Sequence, residues 1–122
     1  MAAITFVTGD VLTAAQMNAL NALAFNAQTG TTYTLVAADK DKLVTSSNAA
    51  SIVVTIPAGV FTVGQSVNIQ SIGVGLTTIS GGAVTITSTG ADAAAPILRA
   101  QYSAATIICT AAGVFTVIGD IS

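Results

Sequence analysis

"SIVVTIPAGVFTVGQSVNIQS", residues 51–71, is the stretch whose reading decides the fold. Its hydrophobicity repeats every second residue, the period of a strand whose successive side chains point to opposite faces. Ile52, Val54 and Ile56 fall on one face of the first half. In the second half Val67 and Ile69 point inward, while Asn68 and Gln70 point outward. Pro57 and Gly64 bracket "AGVFTV" between the two halves, which predicts a loop crossing one end of a β-layer.

The same period extends outward from this stretch, from Thr31 to the C-terminus. "TYTLVA" alternates through Tyr33 and Leu35, "ADKDKL" reads as a polar turn, and "LVTS" follows. Further on, "LTTIS" and "AVTITS" flank Ser80, Gly81 and Gly82, the pattern of a hairpin. "STGADAAAP" reads as a loop, "ILRAQY" and "ATIICT" as strands, and "AAG" as a turn into "VFTVIG". The richness in Thr, Val and Ile suits a pleated surface. About eight short strands at regular spacing predict an all-β domain over 31–122, an antiparallel β-sandwich or small barrel. "AGVFTV" recurs at 112–117, where it runs into "IGDIS" and reads as the last strand. The two copies are expected to differ in conformation and do not read as a solenoid repeat. "TYT" and "TIT" recur at no fixed period, so no threonine array is expected.

The other end of the chain has a different period. "GDVLTAAQMNALNALAF", residues 9–25, predicts an α-helix. Thr13 and Gln16 form a capping box, with Leu12 and Met17 at the staple positions flanking it. Asp10 places negative charge near the positive end of the helix dipole. Met17, Leu20, Ala24 and Ala27 share one face, and Gly30 marks the exit. Residues 1–30 therefore read as an N-terminal arm and helix. Packing of this helix on its own domain is the plain alternative, but its terminal position favours docking or oligomerisation. Leu12, Met17, Leu20, Leu23, Ala24 and Phe25 are the candidate contact residues.

Composition narrows the function. Only three basic and five acidic residues occur, 7% of the 122-residue chain, against about 25% in ordinary globular domains. Three scattered cations make no phosphate-binding stripe, so nucleic acid is not expected as a partner. With no His and no Glu, the Ser–His, Cys–His, zinc and paired-carboxylate constellations are missing, and no enzyme and no cofactor is expected. "GGAVTITSTG" is glycine-rich but is expected in a hairpin, with no helix N-terminus to hold a phosphate. Asp39 and Asp41 in "DKDK" could contribute to a calcium site, but Lys40 and Lys42 are expected to neutralise them in a solvated turn. Tyr33 and Tyr102 are a thin basis for a sugar platform. Cys109, the only cysteine, lies in an apolar stretch and is expected to be a buried small hydrophobe. Mean hydropathy is +0.81. Yet no run approaches the ~18 apolar residues a spanning helix needs, so no membrane partner is expected. "MAAITFVTGD" lacks the pattern of a secretion signal, so assembly in a host cytoplasm is expected. High hydropathy with few charges points to surface hidden in an assembly.

"FVTGDVLTAAQMNAL" resembles a segment near the start of many structural proteins of tailed bacteriophages: an aromatic, Gly and Asp, then "LTAA" and an Asn. The downstream "YTLVAADKDKLVTSSNAASIVVTIPAGVFTVGQSVNIQSIGVG" and the closing "FTVIGDIS" look like the small β-domain of tail-fibre, minor tail and head-decoration proteins. Phe115 stands where that family's closing strand often has Trp. The resemblance implies a virion component, commonly a homotrimer, that docks by its N-terminal segment on the major capsid protein or on tail components. Capsid decoration is the expected role, with a minor tail or tail-fibre protein next and a carbohydrate-binding surface module more distant.

Overall fold

The computed structural model describes residues 25–122, which form nine strands in two sheets. In chain order these are β1 (Phe25–Gln28), β2 (Thr32–Thr34), β3 (Leu43–Ser46), β4 (Ile52–Ile56), β5 (Ser66–Ser71), β6 (Thr77–Gly81), β7 (Thr85–Thr87), β8 (Ala104–Ala111) and β9 (Val114–Gly119). Sheet A has the order β1-β3-β5-β8-β9-β7, and sheet B the order β2-β4-β6. Through the first six strands the chain alternates between sheets, and each strand pairs in parallel with the next one in its own sheet. The result is a solenoid-like coil of three turns.

This corrects the expectation of an antiparallel sandwich or barrel. The all-β class and the alternating faces were legible, but period two is common to parallel and antiparallel strands. What separates them is the distance to the partner. Phe25 lies opposite Leu43, 18 residues on, and Leu43 opposite Asn68, 25 on. In sheet B the steps are 21 from Thr32 to Val53 and 25 from Val53 to Thr78. These unequal turns leave no fixed period in the sequence to find.

The expected hairpin at Ser80–Gly82 is likewise absent. β6 and β7 belong to different sheets, and the glycines turn the chain from one to the other. A Cβ on Gly81 would lie 2.8 Å from the Val84 carbonyl oxygen, closer than atoms tolerate. β7 runs in the direction of a fourth coil in sheet A. Two strands separate it from β5, however: the antiparallel β8–β9 hairpin lies between them. The flanks of this hairpin extend sheet B: Ile97 bridges Thr78, and Leu98 bridges Ile121. The "AAG" turn into "VFTVIG" is present as expected, with Gly113 at φ 69°.

Where the chain alternates, the burial follows the sequence. Ile52, Val54 and Ile56 on β4 and Val67 and Ile69 on β5 all face the core between the sheets. Leu35, Val44, Ile79, Leu98, Ile107, Phe115 and Val117 join them there, and Cys109 is buried among them as a free thiol. The two "AGVFTV" copies begin alike and then part. Gly59 and Gly113 both take a positive φ, and Phe61 and Phe115 both enter the core, their rings meeting edge to face at 6.2 Å. After that Val63 is exposed in a loop, whereas Val117 is buried in β9. The expected divergence is present, and the shared Gly and Phe turn out to be partners.

Candidate functional site

Of the six residues predicted to dock or oligomerise, Leu12, Met17, Leu20, Leu23 and Ala24 lie outside the described residues, as does the helix predicted over 9–25 apart from its last residue. Phe25 is described, and it is not helical. Phe25–Gln28 is β1, the outermost strand of sheet A among the described residues, so the helical reading is corrected at Phe25, Ala27 and Gln28. Pairing with β3 in register outweighs the local helix propensity of this Ala-containing stretch. The first coil thus takes in residues that the sequence assigns to the arm. Phe25 is 65% exposed on the outer face of sheet A.

The "DKDK" turn is also corrected. Asp39 ends a 3-10 turn, Ala37–Asp39, and is only 1% exposed. Its carboxylate accepts from the Tyr33 hydroxyl at 2.6 Å, the Asn26 side-chain amide at 3.0 Å and the Val36 backbone N–H at 3.0 Å. Asn26 also donates to the Tyr33 oxygen at 2.8 Å, and Gln28 donates to Asn26 at 2.8 Å. Burial, then the hydrogen bond and charge of Asp39, push the Tyr33 hydroxyl up to about 12. Neutralisation by Lys40 and Lys42 is not what holds this carboxylate: among the described residues the only ion pair is Arg99–Asp120. Asn26, Gln28, Tyr33 and Asp39 instead fill the first described coil with a mutually satisfied polar plug.

Tyr33 therefore points into the plug, while Tyr102 is 65% exposed in a turn at φ 69°. The two do not share a face. No cluster of three metal-ligating side chains occurs among the described residues. Arg99 and Asp120 form a two-pronged ion pair, 2.7 and 2.9 Å, at the corner where both hairpin arms pass from one sheet to the other. Ser103 donates to the same carboxylate at 2.8 Å; the hydrogen bond from Arg99 first, and then that from Ser103, hold the Asp120 carboxyl below its ordinary value.

The most distinctive surface is the outer face of sheet A. Phe25, Leu43, Asn68, Thr106 and Ile118 stand opposite one another across five strands. Thr106 donates to Asn68 at 2.7 Å within that row. Ile118 is 53% exposed between two shallow hollows, one of about 300 Å³ floored by Asn68, Ala104 and Thr106, the other of about 340 Å³ beside Thr87 and Thr116. None of the nine strands contains a charged residue; every described charge lies in a turn or loop. Sequence reasoning missed this surface because outward residues announce themselves only once strand neighbours are known. Comparison of the sequence with protein-family models and with curated proteins gives no match.

Proposed function

We propose that this chain is a non-enzymatic structural component of a tailed-phage virion, which joins copies of itself and docks on the particle through its N-terminal segment. The observation that carries the reading is the segregation of charge. The strands of both sheets are free of ionic groups, and the described charges are confined to the connections. Obligate interfaces are depleted of charge in the same way, because an ion buried without a partner costs several kcal/mol. The resemblance of "FVTGDVLTAAQMNAL" to the leading segment of phage structural proteins supports the virion setting.

Within that class head decoration is the first reading: a homotrimer seated on the capsid shell. The second is a minor tail or tail-fibre protein, which the stacked parallel coils favour, since such a coil lengthens simply by adding turns. The separate placement of Tyr33 and Tyr102 tells against a carbohydrate module. Electron microscopy of particles carrying a tagged copy of this chain tests the proposal. Regular density on the head supports decoration, density on the tail supports the second reading, and particles bare of the tag overturn both.

A further inference from the structure

We propose that the outer face of sheet A is the surface through which copies of this chain pack on one another. The inference rests on the assembly reading above and gives it a place on the molecule.

Three observations choose the face and its occupant. The first is size. Six strands about 4.8 Å apart, averaging about five residues at about 3.3 Å each, project roughly 500 Å². Side chains standing off a pleated sheet offer more than that projection. A stable interface needs about 800 Å² per partner, so this face supplies the larger part of one and the turns that flank it must supply the rest. Sheet B, with three short strands, offers much less.

The second observation is shape. Ile118 is 53% exposed and is the wall shared by two shallow hollows, of about 300 and 340 Å³, one on either side of it. One face therefore presents both an exposed apolar side chain and concave ground beside it. That is what contact between identical chains demands, since a patch used by symmetry mates must complement itself.

The third is the chemistry of the floor. The row from Phe25 through Leu43, Asn68 and Thr106 to Ile118 has no charge, and its one side-chain hydrogen bond, Thr106 to Asn68, is made internally. Such a face meets its own copy without like-charge repulsion. A foreign partner selected by electrostatic complementarity would find nothing to read. Exposed Phe25 and Ile118 stand at the two ends of the row, where a neighbouring copy would cover them.

Sedimentation velocity on the full-length chain tests this. Ile118→Lys places an unpaired cation in the contact, while Val53→Lys puts the same charge on the outer face of sheet B. The wild type and Val53→Lys are expected to sediment as the same oligomer. Ile118→Lys is expected to fall to the mass of one chain, with self-association at least about a hundredfold weaker and an unchanged β-sheet circular dichroism spectrum. An Ile118→Lys protein that keeps the oligomer overturns the proposal, as does loss of the oligomer in Val53→Lys alone. Should Ile118→Lys unfold, Ile118→Thr, which keeps a β-branched side chain, decides by the same measurement: weaker association supports the face and unchanged association overturns it. Binding of the wild type to purified particles is scored separately. Oligomers that use this face but ignore particles sink the virion reading alone; particle binding with an unaffected Ile118→Lys oligomer sinks this inference alone.

Discussion

Asp39 carries more of the first coil than any other side chain, because three donors converge on a carboxylate closed off from water. Asp39→Ala leaves the Tyr33 hydroxyl, the Asn26 amide and the Val36 N–H without their acceptor. It is expected to cost about 2–4 kcal/mol, read as a lower urea midpoint at unchanged slope. Tyr33 adds a pH dependence. Its folded-state value of about 12 lies above the ordinary ~10, so the folded state holds the proton more tightly. The stability this contributes is complete below pH ~10 and is lost as pH rises towards 12. Urea midpoints should therefore decline between those limits, and less so in Tyr33→Phe. None of this was legible in "DKDK", where neighbouring Lys and Asp look like an exposed pair. The partners that bury Asp39 come from β1 and β2, six to thirteen residues away.

At the scale of elements, the turns between stacked coils set the tolerances. A Cβ on Gly75 would sit 1.9 Å from the Ala50 carbonyl oxygen, and one on Gly73 would sit 2.5 Å from the Asn48 nitrogen. Asn48 ties three successive turns together, donating to the Thr29 carbonyl at 2.8 Å and accepting at its own carbonyl from the Gly75 N–H at 2.9 Å. Gly75→Ala must push these turns apart, and a loss of about 1–3 kcal/mol is expected in thermal melts. The outermost described strand gives a second test at this scale. Removing residues 1–24 leaves all nine strands in place, whereas removing 1–30 deletes β1 and takes Asn26 and Gln28 out of the plug. The shorter truncation should keep a cooperative melt, and the longer one should melt several degrees lower. Strand positions and inward faces were readable from alternation in "SIVVTI" and "QSVNIQS". Pairing was not, because parallel partners lie 18 to 25 residues apart and nothing in a local window records which strand returns to which.

For the whole molecule, the governing feature is a coil whose interior is apolar, whose first turn is plugged by polar groups and whose strand surfaces bear no charge. The sparse charge was plain from composition, and it already argued for concealed surface. Its confinement to the connections, and the meeting of Phe61 with Phe115 from the two "AGVFTV" copies, needed the three-dimensional arrangement. Phe115→Ala removes half of that aromatic pair and one of the largest core side chains, so a loss of about 3–5 kcal/mol is expected in denaturant titrations. The central claim, that such a surface exists to be covered by like chains, is tested most directly by the mass of the full-length protein in solution. Sedimentation equilibrium at micromolar concentration should give a small integral multiple of 12.0 kDa, three chains if the trimer is right. A single ideal species of 12.0 kDa across that range would contradict it.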